Sequence, residues 1–157
     1  MKERGQSLVE LGVSLLILLF LLSGAAEFGI LFFQYVQLRD AAQEGALYGS
    51  MNPTAMSWQN IETRARSASN SPIDLADASL VDVSIFIENK DTAVKTLVWK
   101  NGAAQGTSAF ACEGHGVQVT VEFDHEIFMP FMPQLLSMNE IHLTANVVDT
   151  ILTPVCP

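Results

Sequence analysis

The chain has 157 residues, of which 49% are hydrophobic, and its formal net charge is −9. With 17 acidic residues against 8 basic ones, it lacks the electrostatic footprint of a nucleic-acid-binding protein, and its acidity suits the solubility of an exported domain. The length fits one domain, which has about 110 residues once an N-terminal membrane helix is set aside.

A short basic head precedes the longest apolar run of the chain. Lys2 and Arg4 are followed by Gly5, and Glu10 lies five residues beyond that glycine. An ordinary secretory signal is cleaved after its apolar run and is discarded with it. Here the small residue comes before the run, so cleavage between Gly5 and Gln6 would leave the apolar helix at the mature N-terminus. In that case residues 1–5 would be a leader.

The apolar run from Leu11 to Phe33 is the predicted membrane span. Its 23 residues would extend about 34 Å as a helix, which is enough to cross a bilayer with some tilt. Lys2 and Arg4 lie before the run, and the positive-inside rule therefore places the N-terminus in the cytoplasm. We expect a single-pass protein of the cytoplasmic (inner) membrane, with residues 51–157 forming an extracytoplasmic domain.

The helix is predicted to continue beyond the span and to cover residues 6–50. Apolar side chains recur at helical spacing after the span, at Tyr35, Leu38, Ala42 and Ala46. Gly45 and Gly49 are mild helix breakers, whereas Asn52-Pro53 is a firm stop. A helix of this length is more typical of a filament stalk than of a globular enzyme.

A second helix and four strands are predicted in the remainder. The helix covers about residues 56–70, with an apolar stripe at Trp58, Ile61, Ala65 and Ala68. Alternation of apolar and polar residues predicts strands at Val81–Glu88, Val94–Lys100, Val117–Asp124 and Ile141–Ile151. Leu97 and Trp99 are expected on one face of their strand, and residues 103–111 are expected to form a loop. The predicted fold class is α+β, with the helices covering the dry face of a small antiparallel sheet.

The chain has two cysteines, Cys112 and Cys156. Outside the cytoplasm an even pair favours a disulfide. Such a bond would stabilise the fold by about 3–4 kcal/mol through loop-closure entropy. Free thiols are one alternative, and metal binding is another because Cys112 and His115 have a C-x-x-H spacing. A second half-site is missing from the sequence, so no metal site and no cofactor are predicted.

Catalysis is not indicated by any local motif. The sequence has no Ser/His/Asp signature, no glycine-rich loop between a strand and a helix, and no carboxylate pair expected in one cleft. His115, His125 and His142 are expected on the surface or on strand faces. We therefore predict that the protein is not an enzyme.

Three stretches of the chain carry a family resemblance. Gly5 to Glu10, at the mouth of an apolar helix, resembles the processing site of type IV prepilins. Arg4–Glu10, Glu27–Gly29 and Ala41–Tyr48 resemble, in order and spacing, the TadE-like family of minor pseudopilins and pilus-assembly proteins of the Tad (Flp) system. Leu16 and Leu47 stand where that family has a proline and an arginine.

The resemblance implies a function and a set of partners. It implies cleavage after Gly5 by a prepilin peptidase, insertion in the membrane, and assembly with other pilin or pseudopilin subunits and the pilus-assembly machinery. A homo-oligomer and an extracellular filament are compatible with it. The alternative is an uncleaved, membrane-anchored extracytoplasmic module that binds a partner or a ligand.

Two acids of the helix are candidate assembly residues. Glu10 is either an interfacial acid or, after cleavage, the partner of the Gln6 amine of a neighbouring subunit, because an unpaired acid in low dielectric is costly. Glu27 either emerges among lipid headgroups or pairs between packed helices, as the family's acid-Phe-Gly position suggests. Small residues beside it, Gly24–Ala26 and Gly29, would permit close helix approach.

The apolar connection at residues 128–133, with the sequence FMPFMP, has two interpretations. It either folds back over the core of the sheet or forms an exposed patch for a subunit or a membrane surface.

Overall fold

Helix α1 covers Glu3–Met51 in the computed structural model, which describes residues 3–53, 57–105, 111–129 and 137–153. The helix ends directly before Asn52-Pro53, as predicted, since the residue before a proline is biased away from helical geometry. Gly45 and Gly49 do not interrupt it.

The chain divides into two compact units. The first contains the described residues of Met1–Phe32 and Glu126–Ile141, and the second contains those of Phe33–His125 and His142–Pro157. The division predicted from the sequence, into a leader, a helix and the domain 51–157, remains a prediction.

Within the described residues the sheet has five strands. They are β1 (Val81–Glu88), β2 (Lys95–Lys100), β3 (Ala103–Ala104), β4 (Gly116–Glu126) and β5 (Glu140–Thr150), in the order β3-β2-β1-β4-β5. β1 pairs antiparallel with both β2 and β4, and β2 pairs antiparallel with β3. Helix α2 covers Trp58–Arg66. The α+β class with a long N-terminal apolar helix is therefore confirmed.

The core of the second unit lies between the helices and one face of the sheet. Its fully buried members include Leu38, Ala42 and Ala46 of α1, Ile61 and Ala65 of α2, and alternate residues of β1 and β4 (Val81, Val83, Ile85, Val117, Val119 and Val121). These are the positions that period-3.6 and period-2 patterning placed inward. Tyr35, predicted on the same stripe of α1, is exposed instead.

Two glycines let α1 approach its neighbours closely. A Cβ atom built on Gly45 would lie 3.2 Å from Ala65 Cβ and from Val119 Cγ1. One built on Gly49 would lie 3.0 Å from Ile61 Cδ1 and from Val117 Cγ2. The residues predicted as mild helix breakers therefore serve as contact points, because a side chain there would push the helix away from α2 and β4.

Three local predictions are wrong. Helix α2 is shorter than residues 56–70, and Ala68 lies exposed beyond its end. Leu97 and Trp99 lie on opposite faces, because a register shift places Leu97 opposite Phe86 and Trp99 opposite the buried Ile85. Within the predicted loop 103–111, Ala103–Ala104 pairs with β2 as a short strand.

Candidate functional site

The N-terminal part of α1 presents an apolar surface that the described structure leaves uncovered. Leu8, Leu11, Leu15, Leu18 and Leu22 are each more than half exposed. Gln6–Met51 contains an 18-residue window long and apolar enough to cross a membrane, none of which is buried. Removing one large apolar side chain from water is favourable by about 1.5–3 kcal/mol of free energy. The helix therefore indicates single-pass membrane anchoring.

Gln6 and Glu10 both lie exposed on this helix, near its N-terminus. They are four residues apart and therefore share one face of α1. Cleavage between Gly5 and Gln6, and the assembly role of Glu10, remain predictions.

Glu27 has a partner that the sequence did not indicate. Its Oε1 atom accepts a hydrogen bond of 3.0 Å from the backbone N–H of Phe128, within the first compact unit. Neither interpretation made from the sequence, headgroup exposure or pairing between helices, included this contact. The two residues are 101 positions apart, and a separation of that size leaves no periodic signal.

A shallow apolar groove surrounds this hydrogen bond. Among the described residues that line it, Glu27 is the one acidic residue. The apolar lining comes from Phe28 and Leu31 of α1 and from Ile127, Met129 and Ile141 of the returning chain. At Gly24 a built Cβ atom would lie 3.3 Å from Met129 Cε, so the absence of a side chain there gives the methionine its place. The described part of the 128–133 connection thus lies against α1 in the first unit.

A buried polar cluster holds α2 to the turn after β2. Glu62 Oε1 accepts from Arg66 Nε at 2.7 Å, and Glu62 Oε2 accepts from Trp99 Nε1 at 2.5 Å and from the Gly102 N–H at 2.8 Å. Arg66 in turn donates to the Leu75 carbonyl at 2.9 Å and to Asn101 Oδ1 at 3.1 Å. The same Asn101 oxygen accepts from the backbone N–H of Val83 at 2.8 Å.

The sequence analysis missed this cluster, although one signal pointed to it. Glu62 and Arg66 are an i,i+4 acid–base pair on one helix face. Such pairs are usually exposed and weak, and only the fold shows that these side chains are 9% and 11% exposed. Its hydrogen bonds tie α2, β1 and the turn 101–102 together, which is a structural role.

His142 is a titratable residue at the surface of β5. Its Nδ1 lies 2.6 Å from Asp124 Oδ1, and its Nε2 lies 3.9 Å from Glu122 Oε1. The hydrogen bond to Asp124 raises the pKa of His142 above its ordinary value, and burial opposes that rise only in part. The charges of Asp124, Glu122 and Asp82 act in the same direction as the hydrogen bond.

The titration of His142 can be tested directly. We expect a midpoint above about 6.5, the unperturbed value. Because the folded pKa is raised, the charged histidine stabilises the fold fully below the unfolded pKa, and that contribution is lost as pH rises through the folded pKa. NMR titration of the histidine ring should show Asp124→Asn lowering the midpoint more than Glu122→Gln. Equal midpoints for the wild type and Asp124→Asn would contradict the assignment.

Cys112 is buried, and both ring nitrogens of His115 lie 3.9 Å from its Sγ atom. Cys156 lies outside the described residues, so the Cys112–Cys156 disulfide remains a prediction. Across residues 3–53, 57–105, 111–129 and 137–153, no group of three or more His, Cys, Asp or Glu side chains could hold a metal ion.

Comparison with known proteins finds a family match in the N-terminal part of the chain. Residues 5–47 match the family model described as TadE-like protein. The match covers Gly5, Gln6, Glu10 and Glu27, and it agrees with the family resemblance in the sequence. Neither the curated proteins nor the solved structures contain a match. The TadE-like stretch indicates a protein associated with Tad pili.

Proposed function

We propose that the protein is a pseudopilin-like structural and assembly subunit of a Tad-type pilus or a related secretion filament. The observation that carries the proposal is the TadE-like stretch 5–47, in which Gly5, Gln6 and Glu10 stand at the head of an uncovered apolar helix. A leader cut at Gly5 would leave that helix at the start of the mature chain. Its function would then be mechanical and not catalytic.

The apolar helix suits transfer between a membrane and a filament. In the bilayer its side chains contact lipid, and in a bundle of like helices they contact each other. Neither state exposes them to water, so the hydrophobic effect does not oppose the transfer. The specificity with which a subunit is added to the filament must then come from polar groups. Glu10 supplies a negative charge, and the new amine of Gln6 supplies a positive one.

The partners and the location follow from the same mechanism. A prepilin peptidase would remove residues 1–5 at the cytoplasmic face of the inner membrane, and the second compact unit would be displayed outside. Other pilin or pseudopilin subunits and the pilus-assembly machinery would bind the mature helix. An oxidising compartment outside the membrane would also favour the Cys112–Cys156 bond.

Leader processing is the first test. Expressed with its own peptidase, the wild-type chain should lose Met1–Gly5 and begin at Gln6. Gly5→Val should block the cut, because a branched side chain crowds the backbone where the peptidase approaches. The measurement is the intact mass of the protein extracted from membranes.

Gly12→Val is the matched control. Among the described residues, nothing beyond its own helix lies within 4 Å of a Cβ atom built on Gly12. This variant should be processed as the wild type is. A wild-type mass that retains residues 1–5 in the native host would reject the pseudopilin assignment in favour of the uncleaved membrane-anchored module.

A further inference from the structure

The returning chain at Ile127–Met129 lies against the part of α1 that the sequence assigns to the membrane. The Phe128 N–H donates to Glu27 Oε1 at 3.0 Å, and Met129 lies over Gly24. All of these residues belong to the first compact unit. We call Ile127–Met129 the return segment.

The position of these contacts along the helix sets their depth. Glu27 lies sixteen residues after Leu11, which is about 24 Å along a helix axis. The hydrocarbon core of a bilayer is about 30 Å thick. A span that begins at Leu11 therefore has Gly24 and Glu27 inside or at the far boundary of the hydrocarbon, and the return segment lies at the same level.

Three aromatic side chains of the first compact unit are largely exposed. Phe128 is 71% exposed, Phe28 is 70% exposed and Phe32 is 60% exposed. The three rings come from the helix and from the return segment of one compact unit. Rings of this size bury 150–250 Å² each when they are covered, so their exposure to water would be unfavourable.

Two polar groups at this level are paired with each other, namely the Phe128 N–H and the Glu27 carboxylate. A backbone N–H in lipid must have an acceptor, because no water is present to bond it. A carboxylate at the same depth is costly unless it accepts hydrogen bonds. The Phe128 N–H and Glu27 meet both requirements in one contact, and the Ile127 N–H donates to the Asn139 carbonyl at 3.0 Å.

We propose that the return segment is a second membrane contact, in which the Phe128 side chain enters the lipid, as those of Phe28 and Phe32 do. The hydrogen bond from the Phe128 N–H to Glu27 holds the return segment in this position. The partner is the bilayer itself, at the boundary between hydrocarbon and headgroups. The inference rests on the proposed membrane insertion of α1. The sequence left open whether residues 128–133 cover the core or form an exposed patch. For the described residues 128 and 129, the inference is an exposed patch that contacts the membrane.

Depth-dependent quenching tests the contact in the full-length protein. Single variants Phe128→Trp, Leu18→Trp and Val94→Trp are placed in phosphatidylcholine vesicles with or without brominated acyl chains. Leu18 lies within the predicted span, and Val94 is an exposed apolar residue of the second unit. The parent protein, with Trp58 and Trp99, supplies the background.

The expected result is a gain of bromolipid quenching for Phe128→Trp close to that of Leu18→Trp, with no gain for Val94→Trp. Quenching of Leu18→Trp without quenching of Phe128→Trp would overturn the inference and leave membrane insertion intact. Protection of the new indole from both bromolipid and aqueous acrylamide would also overturn it, because protein would then cover the site. Failure of Leu18→Trp to be quenched would reject insertion and the inference together.

The role of Glu27 is tested in the Phe128→Trp background. Glu27→Ala removes the acceptor of the Phe128 N–H, and we expect most of the bromolipid quenching to be lost. Glu27→Gln keeps an oxygen acceptor at the same position, and quenching should remain near that of Phe128→Trp alone. Equal quenching in the alanine and glutamine variants would contradict the holding role of Glu27.

Discussion

Replacing Glu62 with alanine is expected to lower the free energy of unfolding by about 3–5 kcal/mol. The substitution removes the acceptor of three donors, namely Arg66 Nε, Trp99 Nε1 and the Gly102 N–H. It leaves the Arg66 guanidinium, which is 11% exposed, without its carboxylate. An uncompensated buried charge costs more than the pair itself contributes, and this asymmetry makes the expected loss large.

Glu44→Ala is the matched control for this loss. Glu44 also faces an arginine of α2, Arg64, but at 3.8 Å and with side chains that are 44% and 55% exposed. Removing such a pair should cost less than about 1 kcal/mol. Urea unfolding of the full-length variants in mild detergent, followed by circular dichroism, compares them. Similar midpoints for Glu62→Ala and Glu44→Ala would show that the cluster does not stabilise the fold.

Glu10→Ala is expected to abolish most assembly while leaving membrane insertion and leader cleavage unchanged. If Glu10 pairs with the Gln6 amine of a neighbouring subunit, its loss leaves that amine without a counter-charge in low dielectric. If it only marks the membrane edge, the substitution should change little. The membrane-inserted pool and the assembled fraction are measured side by side.

Two further variants sharpen this comparison. Glu10→Asp should restore assembly only in part, because one missing methylene lengthens the contact. Asp40→Ala, which removes another exposed acid of α1 beyond the predicted span, should assemble as the wild type does. Equal assembly by the wild type and Glu10→Ala would leave subunit pairing without support and would favour the membrane-anchored module.

Local sequence was sufficient to predict the secondary structure and much of the core. The stop at Asn52-Pro53, the inward positions of β1 and β4, and the apolar stripe of α2 all depend on residues within a few positions of each other. Such patterns survive in a single sequence because helices and strands repeat with fixed periods. The prediction at Tyr35 failed through tertiary context, because an apolar residue at the right spacing has no neighbour to cover it. The prediction at Ala68 failed because α2 ends at Arg66.

The bulge in the sheet shows why periodicity alone is incomplete. Leu97 and Trp99 are two residues apart, and strict alternation places them on one face. The register shift against β1 skips Val98, because Trp99 pairs with Ile85 and Leu97 pairs with Phe86. Trp99 therefore turns inward, toward Glu62. Pairing with another strand decides this geometry, and the β2 sequence by itself does not contain it.

The sequence by itself determined the apolar helix, the glycine and acids at its head, and the α+β class, because these depend on composition and on short-range periodicity. Only the tertiary structure decided that Glu27 holds the Phe128 N–H and that Glu62 holds Trp99. Both contacts join residues far apart along the chain. Their physical cause is that a polar group removed from water needs a hydrogen-bonding partner. Which partner is near is known only once the chain has folded.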